Sequence, residues 1–328
     1  MKTFNPHAKL SQLAQTTEGF TRSSDGTKIW YRSIGRGTPI ICCNGLGCST
    51  FYFKYLEAYF KQSHQVITWD YRGHGKSEYP KLTKNHTVSS LVKDLKSVMD
   101  TLKIDKAIII GHSMGTQILY EFYNQHPERV RALVSCFGTF GKPMDTFYNS
   151  TLSKYAFEGI YLFNHAFPRL ANLIGTLMVK NPFWFQLGGI FKLMKPYMVD
   201  KAVLRQYIEH IVHVDPIFLS NLTQSLQEHN AESMLRNIKV PTLIFGAEED
   251  TFTPVWVSKK MHHLIPRSQL FIIKKGSHVA LIEQPELINL RIEKFIAEAV
   301  LKKRGSFSRP AKILNMPKAA KIIRTASA

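Results

Sequence analysis

The sequence predicts an α/β fold, a mostly parallel sheet with helices on both faces, and three observations carry that prediction. Runs such as "KAIIIG" and "VPTLIFGA" are apolar throughout instead of alternating, the pattern of strands buried on both sides. They take turns with segments whose apolar residues recur at helical spacing, as βαβ units do. The alternation stops between Phe140 and Glu232 and then resumes, so a regular fold holds an insertion of roughly 90 residues, too long for a plain loop.

The elements follow in order. "GFTRSSDGTKIWYRSIG" reads as two strands about a turn at Asp25-Gly26, and "PIICCNG" as a short third strand ending in glycine. "FYFKYLEAYFKQ" is helix-like, and "HQVITWD" is the fourth strand. Leu91, Val92, Leu95, Val98, Met99 and Leu102 mark one face of a helix over "VSSLVKDLKSVMDTL". "KAIIIG" is the fifth strand, "MGTQILYEFYNQHP" a helix stopped by Pro127, and "RVRALVSCFG" the sixth strand. Beyond the insertion, "VPTLIFGAEED" and "SQLFIIKKGSH" are strands around the helix "PVWVSKKMHHLI", and "PELINLRIEKFIAEAVL" closes with a helix. The organisation is a core over residues 1–139 and 232–301, an aromatic-rich helical insertion over 140–231, and a tail over 302–328.

With 328 residues, 44% of them hydrophobic, the chain can bury a sizeable core in one domain plus an insertion. It has no apolar run of about 18 residues for a transmembrane helix, and no apolar stretch at its start suited to a secretory signal. Cys42, Cys43, Cys48 and Cys136 form no C-x-x-C motif and read as reduced core thiols, Cys42 and Cys43 on opposite faces of a strand; a cytoplasmic setting is expected. The formal charge is +19, but residues 302–328 hold eight Lys or Arg and no acid, which leaves +11 on the rest. That tail reads either as a solvated extension or as an attachment to anionic lipid, since "AKIL" and "AKIIR" add apolar residues to the basic ones. Nucleic acid is not expected, because no recognition motif accompanies the charge.

The strand "KAIIIG" breaks into Gly111-His112-Ser113-Met114-Gly115, a G-x-S-x-G match between a buried strand and a helix. A sharp turn there lifts the serine out of the chain path, and glycines on either side remove Cβ atoms that would clash. The helix N-terminus offers free N–H groups to developing negative charge. A serine hydroxyl is a weak nucleophile and needs a base, itself held by a carboxylate. Of 13 histidines, His278 follows the last strand in "KKGSHVALIEQPE", on a loop over the carboxyl edge of the sheet. His262 and His263 lie on a helix, while His210 and His213 form an i, i+3 pair without further ligands and read as a helix-surface feature. Glu248, Glu249 and Asp250 follow the seventh strand as candidates for the carboxylate, Asp250 standing four residues before Pro254, where the next helix begins.

Four motifs give the chain a resemblance to the α/β-hydrolase superfamily from about residue 18 to 301: "NGLGCS" after the third strand, "WDYRGHGKS" after the fourth, "GHSMG" at the elbow, and the acid and "GSH" segments near the end. The resemblance implies an eight-stranded, mostly parallel sheet and a triad of Ser113, Asp250 and His278. It also implies an oxyanion hole made by the backbone N–H groups of Leu46 and Met114, a helical lid in the place of the insertion, and neither cofactor nor metal. Asp145, after the sixth strand, is the other position at which members of this fold carry the acid. The chain departs from the usual pattern at Asn44, where histidine is common, and at Thr116 and Ala247, where glycine is common. "GHGKS" is not a phosphate loop, because Asp70 occupies the place of its first glycine. "GLG" at 45–47 lacks the third glycine of a dinucleotide fingerprint, Thr50 standing there.

A serine at the elbow, in place of the carboxylate nucleophile of the epoxide and haloalkane branches, implies acyl transfer. Residues 159–195 hold seven aromatics and four basic residues without one acid. Phe163, Phe167, Phe183, Trp184 and Phe185 are therefore expected to line a lipophilic substrate tunnel, against the plainer reading of a lid packed on its own domain. The expected activity is hydrolysis of a lipophilic, medium- or long-chain carboxylic ester, with peripheral contact to an anionic membrane. Carbon–carbon bond hydrolysis, cofactor-free haloperoxidation and a non-catalytic binding role are the alternatives in the same fold.

Overall fold

The computed structural model describes residues 16–150, 152–181, 194–195 and 197–300. Its strands are β1 (Thr16–Arg22), β2 (Lys28–Ile34), β3 (Thr38–Cys43), β4 (His64–Trp69), β5 (Ala107–His112), β6 (Val130–Cys136), β7 (Thr242–Ala247) and β8 (Ser268–Ile273). They form one sheet in the order β1-β2-β4-β3-β5-β6-β7-β8. β1 pairs antiparallel with β2, and β2 with β4; every later pairing is parallel. Asp25 fixes the first turn, its carboxylate accepting the Thr27 N–H at 3.1 Å. The eight-stranded sheet expected from the sequence is thus present, and helices Lys54–Phe60, Val88–Thr101, Met114–Gln125, Val255–Leu264 and Pro285–Phe295 surround it.

Side chains along the central strands alternate between two apolar layers. Ile40, Cys42, Ile108 and Ile110 enter one; Ile41, Cys43, Ile109 and Leu133 enter the other. Cys42 and Cys43 accordingly face opposite ways, and all four thiols are buried and free. Burial pushes the Cys43 and Cys48 thiols up to about 12, which keeps them protonated and unreactive near neutral pH. The helix Val88–Thr101 starts at Thr87, whose hydroxyl accepts the Ser90 N–H, and it buries the apolar face read from the sequence.

That helix also carries Asp94 into the interior to meet Arg72 from the loop after β4. The guanidinium donates Nε to Asp94 Oδ2 at 2.7 Å and Nη2 to Asp94 Oδ1 at 2.5 Å, a two-pronged pair. Its remaining protons reach Asp25 Oδ2 at 2.8 Å, the Asn85 carbonyl at 3.1 Å and Ser23 Oγ at 3.2 Å. One buried cation therefore ties the β1–β2 turn, the loop after β4 and a surface helix together.

Between β6 and β7 lie the helices Leu152–Ala166, Pro168–Lys180, Lys201–Ile211 and Pro216–Glu228. A Gly141–Asn230 bridge joins the outgoing and returning chain. Pro216–Glu228, capped by Asp215 through the Phe218 N–H at 2.8 Å, sends Phe218, Leu222 and Leu226 into the main core. The reading of His210 and His213 as a surface pair needs correction. His213 is exposed, but His210 is half-buried, its ring stacked on His74 with centroids 5.8 Å apart. Helix Lys201–Ile211 leans on the loop after β4 through that contact, so His210 alone of the pair helps to hold the insertion to the core. Among the described residues no helix is long and apolar enough to cross a membrane, and no group of three or more His, Cys, Asp or Glu could hold a metal.

Removing one partner of a buried pair strands the other. Arg72→Met should destabilise the fold by about 3–5 kcal/mol, and Arg72→Lys, which keeps the charge but loses the fork, by less. Urea unfolding monitored by tryptophan fluorescence measures both. A loss under about 1 kcal/mol for Arg72→Met would remove the network from the account of stability.

Candidate active site

β5 ends at His112, and the chain turns sharply at Ser113, whose φ of 53° and ψ of −117° belong neither to the strand nor to the helix that follows. A non-glycine residue held there costs about 1–3 kcal/mol and must be fixed by its surroundings. The Ser113 N–H donates to the Cys136 carbonyl at 3.0 Å, and the Ser113 carbonyl accepts the Thr116 N–H at 3.0 Å. Thr116 stands where a glycine was expected; its hydroxyl lies 2.7 Å from the Ser113 carbonyl and 2.8 Å from that of Thr139, and so bolsters the turn. A carbon added at Gly111 would sit 2.4 Å from the Gly115 carbonyl oxygen, and one at Gly115 2.2 Å from that of Cys43. Neither position admits a side chain.

The turn aims Ser113 Oγ at His278, whose Nε2 is 2.9 Å away. The other ring nitrogen, Nδ1, lies 3.1 and 3.0 Å from the two oxygens of Asp250. Asp250 is buried and accepts three further hydrogen bonds, from the N–H groups of Phe252 and Thr253 and the Thr253 hydroxyl, each at 2.8 Å. These donors fix the carboxylate in direction. Glu249 instead pairs with Lys195 at 3.3 Å, Glu248 accepts the Lys275 N–H at 2.9 Å, and Asp145 is exposed and bonded to Gln227 at 2.8 Å. Of the four candidate acids, Asp250 is the one beside the imidazole.

The loop carrying His278 is pinned from below by Glu283, a buried carboxylate that accepts the Ser277 hydroxyl at 2.7 Å, the Ser277 N–H at 3.2 Å and the Lys195 N–H at 2.7 Å. The opposite loop is held by Asn44, whose Nδ2 donates to the Trp69 carbonyl at 3.1 Å and whose carbonyl accepts the Tyr71 hydroxyl at 2.8 Å. Asparagine at this position is a backbone brace, so losing the usual histidine leaves the loop in place. Gly45 lies against the serine: a carbon added there would be 3.3 Å from Ser113 Cβ. Leu46 and Met114 border the same cavity as Ser113, and the helix beginning at Met114 leaves its first N–H groups free of intrahelical partners.

Two residues of the site escaped the sequence reading. His112 Nε2 lies 3.0 Å from the His278 carbonyl, which can only accept, so this nitrogen carries the proton. The Tyr52 hydroxyl is 3.0 Å from the same nitrogen, and the two rings pack at 4.4 Å. Burial, reinforced by His278 nearby, pushes the His112 imidazole down to about 3, so it stays neutral and clamps the strand before the serine to the loop of the base. His112 was visible in the pentapeptide, but its partner lies far along the chain; Tyr52 carries no periodic signal.

A cavity of about 410 Å³ opens beside Ser113 and His278. Leu46, Cys48 and Phe51 form one wall; Val203, Tyr207 and Leu226 from the insertion form another; Val279 and Ile282 close the end near the base. Two of the tunnel residues expected from the sequence do not border this cavity. Phe163 and Phe167 pack on each other at 5.7 Å and are absent from the cavity wall, Phe167 being 57% exposed. Phe163 lies on the helix Leu152–Ala166, and Phe167 caps the start of Pro168–Lys180. Phe183, Trp184 and Phe185 lie outside the described residues.

The family model for the alpha/beta hydrolase fold matches residues 38–285. The chain is 24% identical over 307 residues to epoxide hydrolase 4 of Mus musculus, covering 90% of this chain and 83% of that protein. It is 25% identical over 299 residues to the 2-hydroxy-6-oxononadienedioate/2-hydroxy-6-oxononatrienedioate hydrolase of Paraburkholderia phymatum, covering 89% of this chain and 97% of that one. Among solved structures, the enol-lactonase of Burkholderia xenovorans aligns with a TM-score of 0.71 at 20% identity, over 85% of this chain and all of the other, 100%. An esterase of Thermogutta terrifontis aligns at 0.70 and 19%, over 88% of this chain and 100% of its own. The chain is a hydrolase that belongs to the alpha/beta hydrolase fold family.

Proposed function

We propose that this hydrolase cleaves a neutral, lipophilic carboxylic ester through an acyl-enzyme on Ser113. The observation that carries the reading is the cavity wall: among the described residues no Lys, Arg, Asp or Glu borders the space next to the serine, and aliphatic, aromatic and methionine side chains dominate it. Such a cavity favours an uncharged acyl chain. A buried carboxylate without a partner costs several kcal/mol, which speaks against the dioate named for the Paraburkholderia relative. The epoxide reading lacks its nucleophile, since serine and not aspartate occupies the elbow.

In the proposed cycle His278 Nε2 takes the Ser113 proton as Oγ bonds to the ester carbonyl carbon. The carbonyl electron pair moves onto oxygen and is met by the N–H groups of Leu46 and Met114, each worth about 2.7–4 kcal/mol to the transition state. Collapse breaks the bond to the alkoxy oxygen, and the alcohol leaves with the proton from His278. Water, deprotonated by His278, then attacks the acyl group; breakdown returns a proton to Ser113 and frees the acid. Asp250 accepts Nδ1–H throughout and so keeps Nε2 directed at the serine.

Three outcomes test this reading. Across p-nitrophenyl esters from acetate to octanoate, kcat/KM should climb by up to about fourfold per methylene until the cavity is filled, and an ω-carboxylate on the acyl chain should erase the gain. A flat series, or a preference for the carboxylate, would defeat the neutral-ester assignment. Ser113→Ala should lower ester hydrolysis by about 10⁴-fold or more with an unchanged melting temperature, and a fluorophosphonate probe should label only the parent protein; labelling of another serine would refute the nucleophile. Asp250→Asn should cost about 10³–10⁴-fold in kcat, whereas Glu249→Gln and Asp145→Asn should stay within about threefold of the parent. Near-normal turnover by the Asp250 variant would contradict its role.

A further inference from the structure

Ten of the nineteen exposed large apolar side chains among the described residues fall within residues 152–178. The two helices there, Leu152–Ala166 and Pro168–Lys180, bury only Phe157 and Ala171 among their described apolar side chains. Leu170, Leu173 and Leu177 recur at i, i+3 and i+7 and are 46%, 55% and 61% exposed. On the first helix Leu152, Ile160 and Leu162 are likewise exposed, at 72%, 57% and 66%. So large an apolar surface on a chain in water marks an interaction site.

The charge around it selects the occupant. Arg169 and Lys180 are exposed and stand beside the leucine stripe of the second helix, and Lys154 is exposed on the first; Glu158 is the one acid on either helix. The whole chain carries +19, eight of those charges in residues 302–328. A second copy would bring the same excess of positive charge to the contact, which opposes self-association. Helices of 15 and 13 residues are too short to span a bilayer. We infer that this helical pair is a docking face for a bilayer that contains anionic lipid. The leucines lie among the acyl chains at the headgroup boundary, and Lys154, Arg169 and Lys180 reach the phosphates with their stems along the apolar layer. Phe167, expected in the tunnel, belongs to this outer face.

The inference does not rest on ester hydrolysis, because binding is read without turnover. The full chain is sedimented with vesicles of phosphatidylcholine alone, or with about one-third phosphatidylserine, at about 0.1 and 0.5 M salt. Partition onto the anionic vesicles should exceed that onto the neutral ones by about tenfold or more and fall at the higher salt. The triple variant Leu170→Ser, Leu173→Ser, Leu177→Ser should lose at least about tenfold in partition, with an unchanged melting temperature. Arg169→Gln with Lys180→Gln should lose several-fold on anionic vesicles only. Deletion of residues 302–328 should weaken binding and leave it dependent on the leucines. No sedimentation with either vesicle, or undiminished binding by the triple variant, overturns the inference. So does light scattering that shows a dimer converted to a monomer by the triple variant without vesicle binding, which would make the face a contact between copies.

Discussion

The candidate active site rests on one approach of backbone to backbone. The helix that begins at Met114 lies so close to the end of β3 that a carbon at Gly115 would reach within 2.2 Å of the Cys43 carbonyl oxygen. No side chain on either segment could occupy that space, so the turn at Ser113 and the loop from Asn44 are fixed to each other rather than merely adjacent. The sheet register then carries the constraint outward. Cys43 pairs with Gly111, His112 with Cys136, Cys136 with Phe245, and Ala247 with Ile273. The carboxyl ends of five parallel strands are therefore level, and each loop that leaves them starts at the same edge. Ser113, Asp250 and His278 are close because their strands end together.

Buried carboxylates hold those loops still. Asp70 accepts the Ser49 hydroxyl at 2.5 Å and the Lys76 N–H at 2.9 Å, linking the loop after β3 to the loop after β4. Burial raises its carboxyl above the usual range, while the donors from Lys76, Ser49 and Thr50 draw it back. Glu283 does the same for the loop of His278, and Asp250 for its own turn. A carboxylate gathers several donors at once and each charged hydrogen bond is about twice as strong as a neutral one, so a single acid can order a loop that has no regular structure. The cost of burying the charge is met only when every lone pair finds a donor, which explains why each of these acids is crowded with partners.

The parts of this arrangement that were legible in the sequence are those set by local rules. The elbow could be read because Gly111 answers a clash only four residues away, with the Gly115 carbonyl, while the partner that demands Gly115 itself, Cys43, lies in another strand. Asp250 and His278 could be read because each follows an apolar strand by a short loop, and the loop length fixes how far a side chain travels. Arg72 was visible only as part of "WDYRGHGKS", since its partners, Asp94, Asp25 and Ser23, lie in three other segments. The cavity wall was illegible for the same reason: Phe51, Val203, Leu226 and Ile282 meet through packing and share no period. Aromatic density in the insertion pointed the wrong way for Phe163 and Phe167, because a run of apolar residues says that a face avoids water without saying what covers it.

The insertion is not held with equal strength throughout. Pro216–Glu228 buries Phe218, Leu222 and Leu226 in the main core, and Lys201–Ile211 buries Val203 and stacks His210 on His74. The outer pair is attached largely by polar contacts, such as Asn164 Nδ2 to Ser220 Oγ at 2.7 Å and His165 Nε2 to Asn221 Oδ1 at 3.1 Å. Exposed hydrogen bonds exchange for water at little net cost, about 0.5–1.5 kcal/mol each, whereas withdrawing a buried phenylalanine or leucine costs about 1.5–3 kcal/mol. Local opening is therefore cheapest at residues 152–180 and dearest at the helix that walls the cavity. The sheet and its loops keep the Ser113–His278–Asp250 geometry, the inner helices supply cavity wall, and no described residue of the outer pair borders that cavity.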